Sequence, residues 1–455
     1  MGKSPHVVLV PYPAQGHVKN FIRLAYRLAE RNIKVSIVTT QSMHDQITKA
    51  SPAWEEASVT LIGSAPDFTN QRGQSENYIA RRLRLRGVMQ TYFKDLLQKM
   101  NGPENAEKVS FVLSDVTLCW ILDVPREMGI KCATFWAGAP AILALVRHIP
   151  KLIEEGIINE HGDTLKSDQL VQLSEEIPAW SSNELPWSYP RAPEVQRSMF
   201  DVFLTIKQST ELPSWILCNT FHELHPAVSP LLPNLLPIGP LLASQRWKQS
   251  SGSLHLEDHS CLTWLDQFPP SSAVYVSFGS TTELTPQQFN ELALGLELAG
   301  RPFLWVVRLD FVNSPFQYPD GFKERVAGFG KIVEWAPQEE VLAHPSIACF
   351  FTHCGWNSTV EGLTAGVPFL CMPYFADHFH DRNYICDDWK VGIKLDPDDQ
   401  KIISRHEIKT KLEKLLSDKA IKENALKWKE KALRSISEDG SSSKNVEAFI
   451  SHLSY

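Results

Sequence analysis

Between Trp335 and His378 the sequence gathers histidine, serine, asparagine and acidic residues around small turn formers: WAPQEEVLAHPSIACFFTHCGWNSTVEGLTAGVPFLCMPYFADH. Ile347–Thr352 reads as a buried strand feeding the turn His353-Cys-Gly-Trp356, and a helix pattern starts at Asn357-Ser358, with Glu361 three residues after Ser358. A strand, a glycine turn and a helix start make an anion site, because backbone N–H groups and the helix dipole both point at the ligand. Taken alone, Ser358-x-x-Glu361 also fits a plain capping box. A second polar pair lies nearer the N-terminus. His17 follows Gly16 at the first strand–helix turn, and Asp115 follows the apolar run 111–114. A histidine there faces a ligand or serves as a polar helix-start residue. Asp115 has an alternative as the N-cap of the next helix, and Asp123 is its weaker substitute.

These residues need elements to hold them. Residues 7–10 form a short continuous apolar run, as expected of a strand covered on both faces. A helical stripe follows (Phe21, Leu24, Ala25, Leu28, Ala29), then a strand over 33–40, strands near 111–113 and 132–135, and a helical stretch around 119–128. Such alternation predicts a parallel, doubly wound sheet. The pattern restarts at Ala273 with a strand over 273–278. Thr285 then caps a helix with Pro286 at its first position, Gly300 ends it, and a strand covers 303–307. The ligand in such sheets lies at the carboxyl ends of the strands, where both polar turns fall. Residues 237–253, rich in Pro, Ser and Gly, read as a linker. Residues 445–453 carry Val446, Phe449, Ile450 and Leu453 at helical spacing, the pattern of a docked helix.

The 44-residue stretch resembles, in length and in residues, the signature box of plant family-1 UDP-sugar glycosyltransferases. The Trp-Ala-Pro-Gln start, the His-Cys-Gly-Trp-Asn-Ser-Thr core, Glu361 and the Pro-Tyr-Phe-Ala-Asp end are all present, and Pro11-Tyr-Pro-Ala-Gln-Gly-His17 matches the family's N-terminal motif. The resemblance implies the α/β GT-B architecture, two doubly wound Rossmann-like domains facing a central cleft. It implies an N-terminal acceptor-binding domain over 1–240, a linker over 241–258, a UDP-sugar-binding domain over 259–435 and a C-terminal helix over 436–455 docking back on the first domain. Carried over by position, Trp335 stacks on uracil beside Ala336 and Gln338, and Glu361 accepts from the ribose hydroxyls. His353, Gly355, Asn357 and Ser358 hold the diphosphate with Ser280, while Trp356, Asp377 and His378 face the sugar. His17 deprotonates the acceptor, a task its ordinary pKa suits near pH 7, and Asp115 orients it. The implied reaction is displacement with inversion at the anomeric carbon, the UDP-sugar being a co-substrate. The resemblance implies no cofactor and no metal. Asp396-Pro-Asp398 has the Asp-x-Asp pattern that metal-using transferases employ, yet sits in a charged loop and reads as a solvated turn.

The acceptor, a small apolar flavonoid, phenolic or terpenoid, should meet the N-terminal half. Trp180, Trp187, Tyr189, Phe200 and Phe203 stand among Pro and Ser there, with Trp136 and Phe375 as further candidates. The same aromatic run could instead fold onto a small core of its own. The sugar is left open. Glucose-using relatives usually end the box Asp-Gln, whereas here it ends Asp377-His378, and histidine there accompanies galactose or arabinose in several members. Ala137 stands where many relatives carry a threonine that reaches the sugar's 6-hydroxyl.

Composition narrows the alternatives. At 455 residues, 43% apolar and 21% charged, the chain fits two globular domains. A net charge of −7 argues against nucleic acid. The cluster Arg81, Arg82, Arg84 and Arg86 interleaves with Ile79, Leu83 and Met89, as on the solvated face of an amphipathic helix. No window approaches the ~20 apolar residues of a membrane span. Eight cysteines without a Cys-x-x-Cys pair read as free buried thiols in a reducing compartment, so a cytoplasmic protein is expected, as a monomer. A nicotinamide dehydrogenase would share the strand–helix grammar, but its G-x-G-x-x-G is missing, since Gly16 stands alone in the first turn. A nucleotide-sugar-binding protein that has lost transfer is the other reading, and having both His17 and Asp115 counts against it.

Overall fold

A computed structural model of the chain describes residues 5–50, 59–65, 78–105, 107–188, 193–212, 214–243, 252–308 and 317–453. They divide into two compact units. The first holds seven parallel strands: β1 His6–Val10, β2 Lys34–Thr40, β3 Val59–Ala65, β4 Phe111–Asp115, β5 Lys131–Trp136, β6 Ile216–Cys218 and β7 Leu235–Pro237. Their order is β3-β2-β1-β4-β5-β6-β7. The second holds six: β8 Ala273–Ser277, β9 Phe303–Val306, β10 Gly330–Val333, β11 Ile347–Thr352, β12 Phe369–Cys371 and β13 Gly392–Lys394, in the order β10-β9-β8-β11-β12-β13. All pairings in both sheets are parallel.

Each order reverses once, and the two reversals locate the ligand positions. In the first sheet β1 lies between β2 and β4, with Val10 level with Ser114. In the second, β8 lies between β9 and β11, with Ser277 level with Thr352. The strands flanking these points are buried along their whole length or nearly so, which is why they read as unbroken apolar runs.

Sequence signals for helix ends are realised locally. Thr285 Oγ1 accepts from the Gln288 N–H, Pro286 occupies the first helical position, and Gly300 closes the helix at φ +59°. The helix Tyr78–Met100 covers the arginine cluster, although the side chains of residues 78–85 lie outside the described ones. Within it Met89 is buried, while Arg86 lies 5.8 Å from the Trp120 ring and pairs with Asp123 at 3.5 Å.

The stretch 237–253 is not a simple linker. Pro237 ends an edge strand, Ile238 is fully buried, and the Gly239 carbonyl accepts from Ser435 and Ser442. Ser253 and Leu254 are buried as well, the Leu254 N–H donating to Gln15 Oε1 at 2.8 Å. Residues 244–251 fall outside the described ones. The chain leaves the first unit at residue 256 and rejoins it at Ser435. The final helix, Ser441–Leu453, then places Val446, Phe449 and Leu453 in the first unit's core, where Phe449 meets Phe111 edge-on at 5.3 Å. An earlier excursion, Leu170–Pro186, belongs to the second unit although it lies in the N-terminal half of the sequence. All eight cysteines are free thiols, six of them buried. Among the described residues no helix is long and apolar enough to cross a membrane.

Candidate active site

His17 stands in the first turn of the helix Gln15–Ala29, directly after β1, and Asp115 ends the neighbouring β4. The register that sets β1 beside β4 therefore brings residues 98 apart in sequence into contact, with His17 Nδ1 2.6 Å from Asp115 Oδ2. Asp115 is fully buried, whereas the His17 side chain keeps 27% of its exposure. The other carboxylate oxygen, Oδ1, accepts from both the N–H and the hydroxyl of Thr117, at 2.9 and 2.7 Å. Asp115 is thus an N-cap, for the short 3-10 helix Val116–Leu122, and the histidine's partner at once. Each oxygen serves one of the two roles that sequence alone could not separate. With Nδ1 turned to the carboxylate, Nε2 is the proton-accepting nitrogen of neutral His17. Tyr12 packs against the imidazole at 5.3 Å. Asp123 is half-exposed and pairs with Arg86 and Arg126 instead.

The second switch point carries the signature stretch. The helix there starts at Trp356 with Gly355 as N-cap, so Ser358 is the third residue of its first turn and is no cap. The capping-box reading therefore gives way. Ser358 Oγ and Glu361 Oε2 instead both accept from Gln338 Nε2, at 3.0 and 2.8 Å, and Gln338 Oε1 accepts from the Tyr275 hydroxyl at 3.1 Å. Both ends of the Gln338 amide are thus engaged by protein groups, and the amide sets the orientation of Glu361. Tyr275, in the middle of β8, was legible only as a hydroxyl on an otherwise apolar strand; nothing in sequence links it to Gln338. Trp335 is half-buried and its carbonyl accepts from the Asp258 N–H; Ala336 and Trp356 are buried, and Asn357 is half-buried.

His353 follows β11 and is enclosed by two backbone turns. A Cβ on Gly279 (φ +70°) or on Gly355 would stand 2.6 or 2.5 Å from His353 Nε2, so these two positions need glycine for close approach. Ser280, next to Gly279, is half-buried. The His378 ring meets His353 edge-on at 4.6 Å and Phe375 at 4.6 Å, with its Nε2 3.9 Å from Asp377 Oδ1. Burial brings His353 down to about 4, the Ser277 carbonyl opposing and Arg308 adding to the effect. Burial, then the neighbouring His353, takes His378 well below its ordinary value. Both rings are neutral at pH 7.

The sign of the stability effect follows. Both folded-state pKa values lie below the unfolded one, so the unfolded chain takes up protons first as the pH falls below 6.5. Stability carried by neutral His353 is complete above pH 6.5 and lost towards pH 4, and that carried by neutral His378 falls in the same direction, at about 1.4 kcal/mol per unit of depression per group. The thermal midpoint should therefore fall measurably between pH 6.5 and 5, before most carboxylates titrate; a flat profile there contradicts this account.

The aromatic residues assigned to an acceptor pocket are placed differently. Trp187 is fully buried against Phe200 and Phe203, with ring centroids 5.2 and 5.6 Å away. Trp180 belongs to the second unit and stacks on His380 at 3.7 Å with 9° between the planes. With exposures of 0–5%, these four rings present no open wall, and the small-core alternative describes them better. Trp136 is buried, its Nε1 donating to the Ala139 carbonyl, and Phe375 is half-buried beside His378. Tyr189 falls outside the described residues. Asp396 pairs with Lys411, and Asp398 accepts from the N–H groups of Gln400 and Ile402, so Asp-Pro-Asp forms a turn. Among the described residues no three His, Cys, Asp or Glu side chains gather as a metal site would require.

Comparison with known proteins places the chain among relatives. Residues 201–436 match the family described as UDP-glucoronosyl and UDP-glucosyl transferase, and residues 4–65 match a glycosyltransferase N-terminal domain. The chain is similar to UDP-glycosyltransferase 83A1 of Arabidopsis thaliana, at 36% identity over 99% of this chain and 97% of that one. It is 33% identical to gallate 1-beta-glucosyltransferase 84A24 of Punica granatum, over 98% of this chain and 88% of that protein. Among solved structures it resembles UGT2 of Phytolacca americana complexed with UDP-2fluoro-glucose and pterostilbene, with a TM-score of 0.81, 26% identity and coverage of 99% and 100% of the two chains. Two Rossmann-like units of GT-B type and relatives matched from end to end lead to one conclusion: the chain belongs to the UDP-glycosyltransferase family.

Proposed function

We propose that the enzyme moves a sugar from UDP to a hydroxyl of an apolar small molecule with inversion, His17 acting as general base and Asp115 orienting it. The observation that carries this reading is the 2.6 Å contact between His17 Nδ1 and Asp115 Oδ2 at the first switch point. His17 Nε2 takes the acceptor's proton as its oxygen attacks the anomeric carbon. The bond from that carbon to the diphosphate oxygen breaks, and UDP leaves with the electron pair. The carboxylate then stabilises the imidazolium. Trp335 stacks on uracil beside Ala336, and Gln338 holds Glu361 towards the ribose hydroxyls. Ser280, His353, Gly355, Asn357 and Ser358 take the diphosphate; Trp356, Asp377 and His378 take the sugar.

Because His353 is neutral, it serves the leaving group as a hydrogen-bonding group and adds no charge. The positive end of the ten-residue helix Trp356–Ala365 supplies the remaining stabilisation in place of a metal ion. The gallate transferase and the pterostilbene complex among the relatives support an aromatic or polycyclic acceptor here. The free thiols fit a reducing, cytoplasmic setting.

Incubation with UDP-glucose, UDP-galactose, UDP-arabinose or UDP-xylose and a panel of phenols and terpenoids, read by mass spectrometry, tests the proposal. The expected result is one added hexose or pentose with release of UDP, at the same rate in excess EDTA. Intact UDP binding without transfer to any acceptor favours a non-catalytic nucleotide-sugar-binding protein. Activity lost in EDTA and restored by Mn²⁺ or Mg²⁺ overturns the leaving-group account.

A further inference from the structure

The helix His378–Asn383 is six residues long and runs on into the π-helical turn Tyr384–Asp388. The carboxyl of Asp381 within it is fully buried and makes no hydrogen bond to any described residue. Side-chain packing holds this helix as well, and the excursion Leu170–Pro186 supplies three of its anchors within the same unit. Trp180 stacks face to face on His380, both rings being 1% exposed. Glu184 takes a two-pronged pair from Arg382, at 3.0 and 3.4 Å. The Ala179 carbonyl accepts from Asn383 Nδ2 at 3.2 Å. The excursion is itself tied off by a short antiparallel ladder, Leu170–Val171 with Trp180–Ser181, and by a 3-10 turn, Ser182–Glu184, that ends on the ion-pairing residue. Residues 380 and 383, three apart, share one face of the helix and residue 382 stands on another, so the anchors bear on its rotation as well as its distance.

We infer that the excursion Leu170–Pro186 is a donor-positioning element, with Trp180 and Glu184 setting the helix whose start carries Asp377 and His378. This rests on the proposed role of those two residues at the sugar. A sugar hydroxyl is read by hydrogen bonds whose worth decays over fractions of an ångström, so a helix allowed to shift changes which epimer is satisfied. Trp180 and Glu184 touch neither substrate in this account; they act through the helix. The consequence is that a segment from the acceptor-binding half of the sequence takes part in choosing the donor.

Glu184 is partly exposed, so its replacement tests the anchor without opening a core. Glu184→Gln should raise KM for the UDP-sugar by about five-fold and shift the UDP-glucose to UDP-galactose preference by about three-fold, a loss of ground-state positioning. The Kd for UDP alone and the thermal midpoint should hold, since the nucleotide is gripped elsewhere. The charge exchange Glu184→Arg with Arg382→Glu should bring both values back to within about two-fold of the parent, as expected of a coupled pair. Trp180→Phe, which keeps a smaller stacking face, should shift the same preference in the same direction. His378→Gln serves as the reference for the reading beneath. A preference that moves in His378→Gln but in none of the excursion variants overturns this inference and leaves that reading intact. A preference unmoved in every variant overturns both, and a fall in thermal midpoint with KM and preference unchanged reduces the excursion to a structural brace and overturns the inference.

Discussion

Replacing His17 by alanine is expected to lower kcat/KM by about 10²–10⁴-fold, the usual worth of a positioned general base, while UDP affinity stays within a few-fold of the parent. The separation follows from where the residues lie. His17 and Asp115 belong to the first unit, whereas Trp335, His353, Ser358 and Glu361, proposed to hold the nucleotide, belong to the second. The substitution leaves the helix Gln15–Ala29 intact, since His17 caps nothing and alanine favours helix. It does leave buried Asp115 without its partner at Oδ2, while Thr117 still satisfies Oδ1. Steady-state kinetics and UDP titration on the same preparation check the outcome. Loss of UDP binding in parallel with activity shows the role assignment to be wrong.

The second large effect concerns the sugar. His378→Gln is expected to shift donor preference towards UDP-glucose by about tenfold or more, the scale set by one buried hydroxyl left unpaired at ~1–3 kcal/mol. The Phe375 N–H faces His378 Nδ1 at 3.4 Å, which makes Nδ1 the acceptor and Nε2–H the donor of this neutral ring. The ring, held between His353 and Phe375, therefore presents a donor in a fixed direction, proposed to meet the sugar. Glutamine offers a donor and an acceptor from one flexible amide. In the proposed site Asp377 accepts from either epimer, so its neighbour is expected to decide whether an axial or an equatorial 4-hydroxyl is satisfied. Competition among equimolar UDP-glucose, UDP-galactose, UDP-arabinose and UDP-xylose on both proteins measures the shift, and an unchanged ratio shows that His378 does not select the sugar.

Strands that lie at the centre of each sheet were the most legible elements. Ile347–Thr352 is apolar from end to end because both its faces are covered, and its predicted bounds are the observed ones. The Thr285-Pro286 helix start was equally plain, because a cap is a local event. Ser358-x-x-Glu361 misled for the same reason. The template is local, but Cys354 at φ +67° turns the chain so that Gly355 takes the cap position, and Gln338 then claims both side chains from another helix. Residues 237–240 have the composition of a linker, yet their carbonyls bond to Ser435, Ser442 and Asn445 some 200 residues later. The tryptophans were misplaced on similar grounds. An aromatic residue in a loop announces burial without naming its partner, and His380 stands 200 positions from Trp180. The pairing of His17 with Asp115, by contrast, was legible through the family resemblance, and a parallel register brings the two strand ends level.

The last helix has a consequence for how the protein is made. Val446, Phe449 and Leu453 belong to the same core as Val7 and Leu9, which leave the ribosome first. The first unit therefore waits for the whole second unit to be synthesised before its own interior can close. Until then Phe111 lacks the ring of Phe449 that lies against it, and a nascent chain of this enzyme exposes that apolar ground to chaperones for most of its translation.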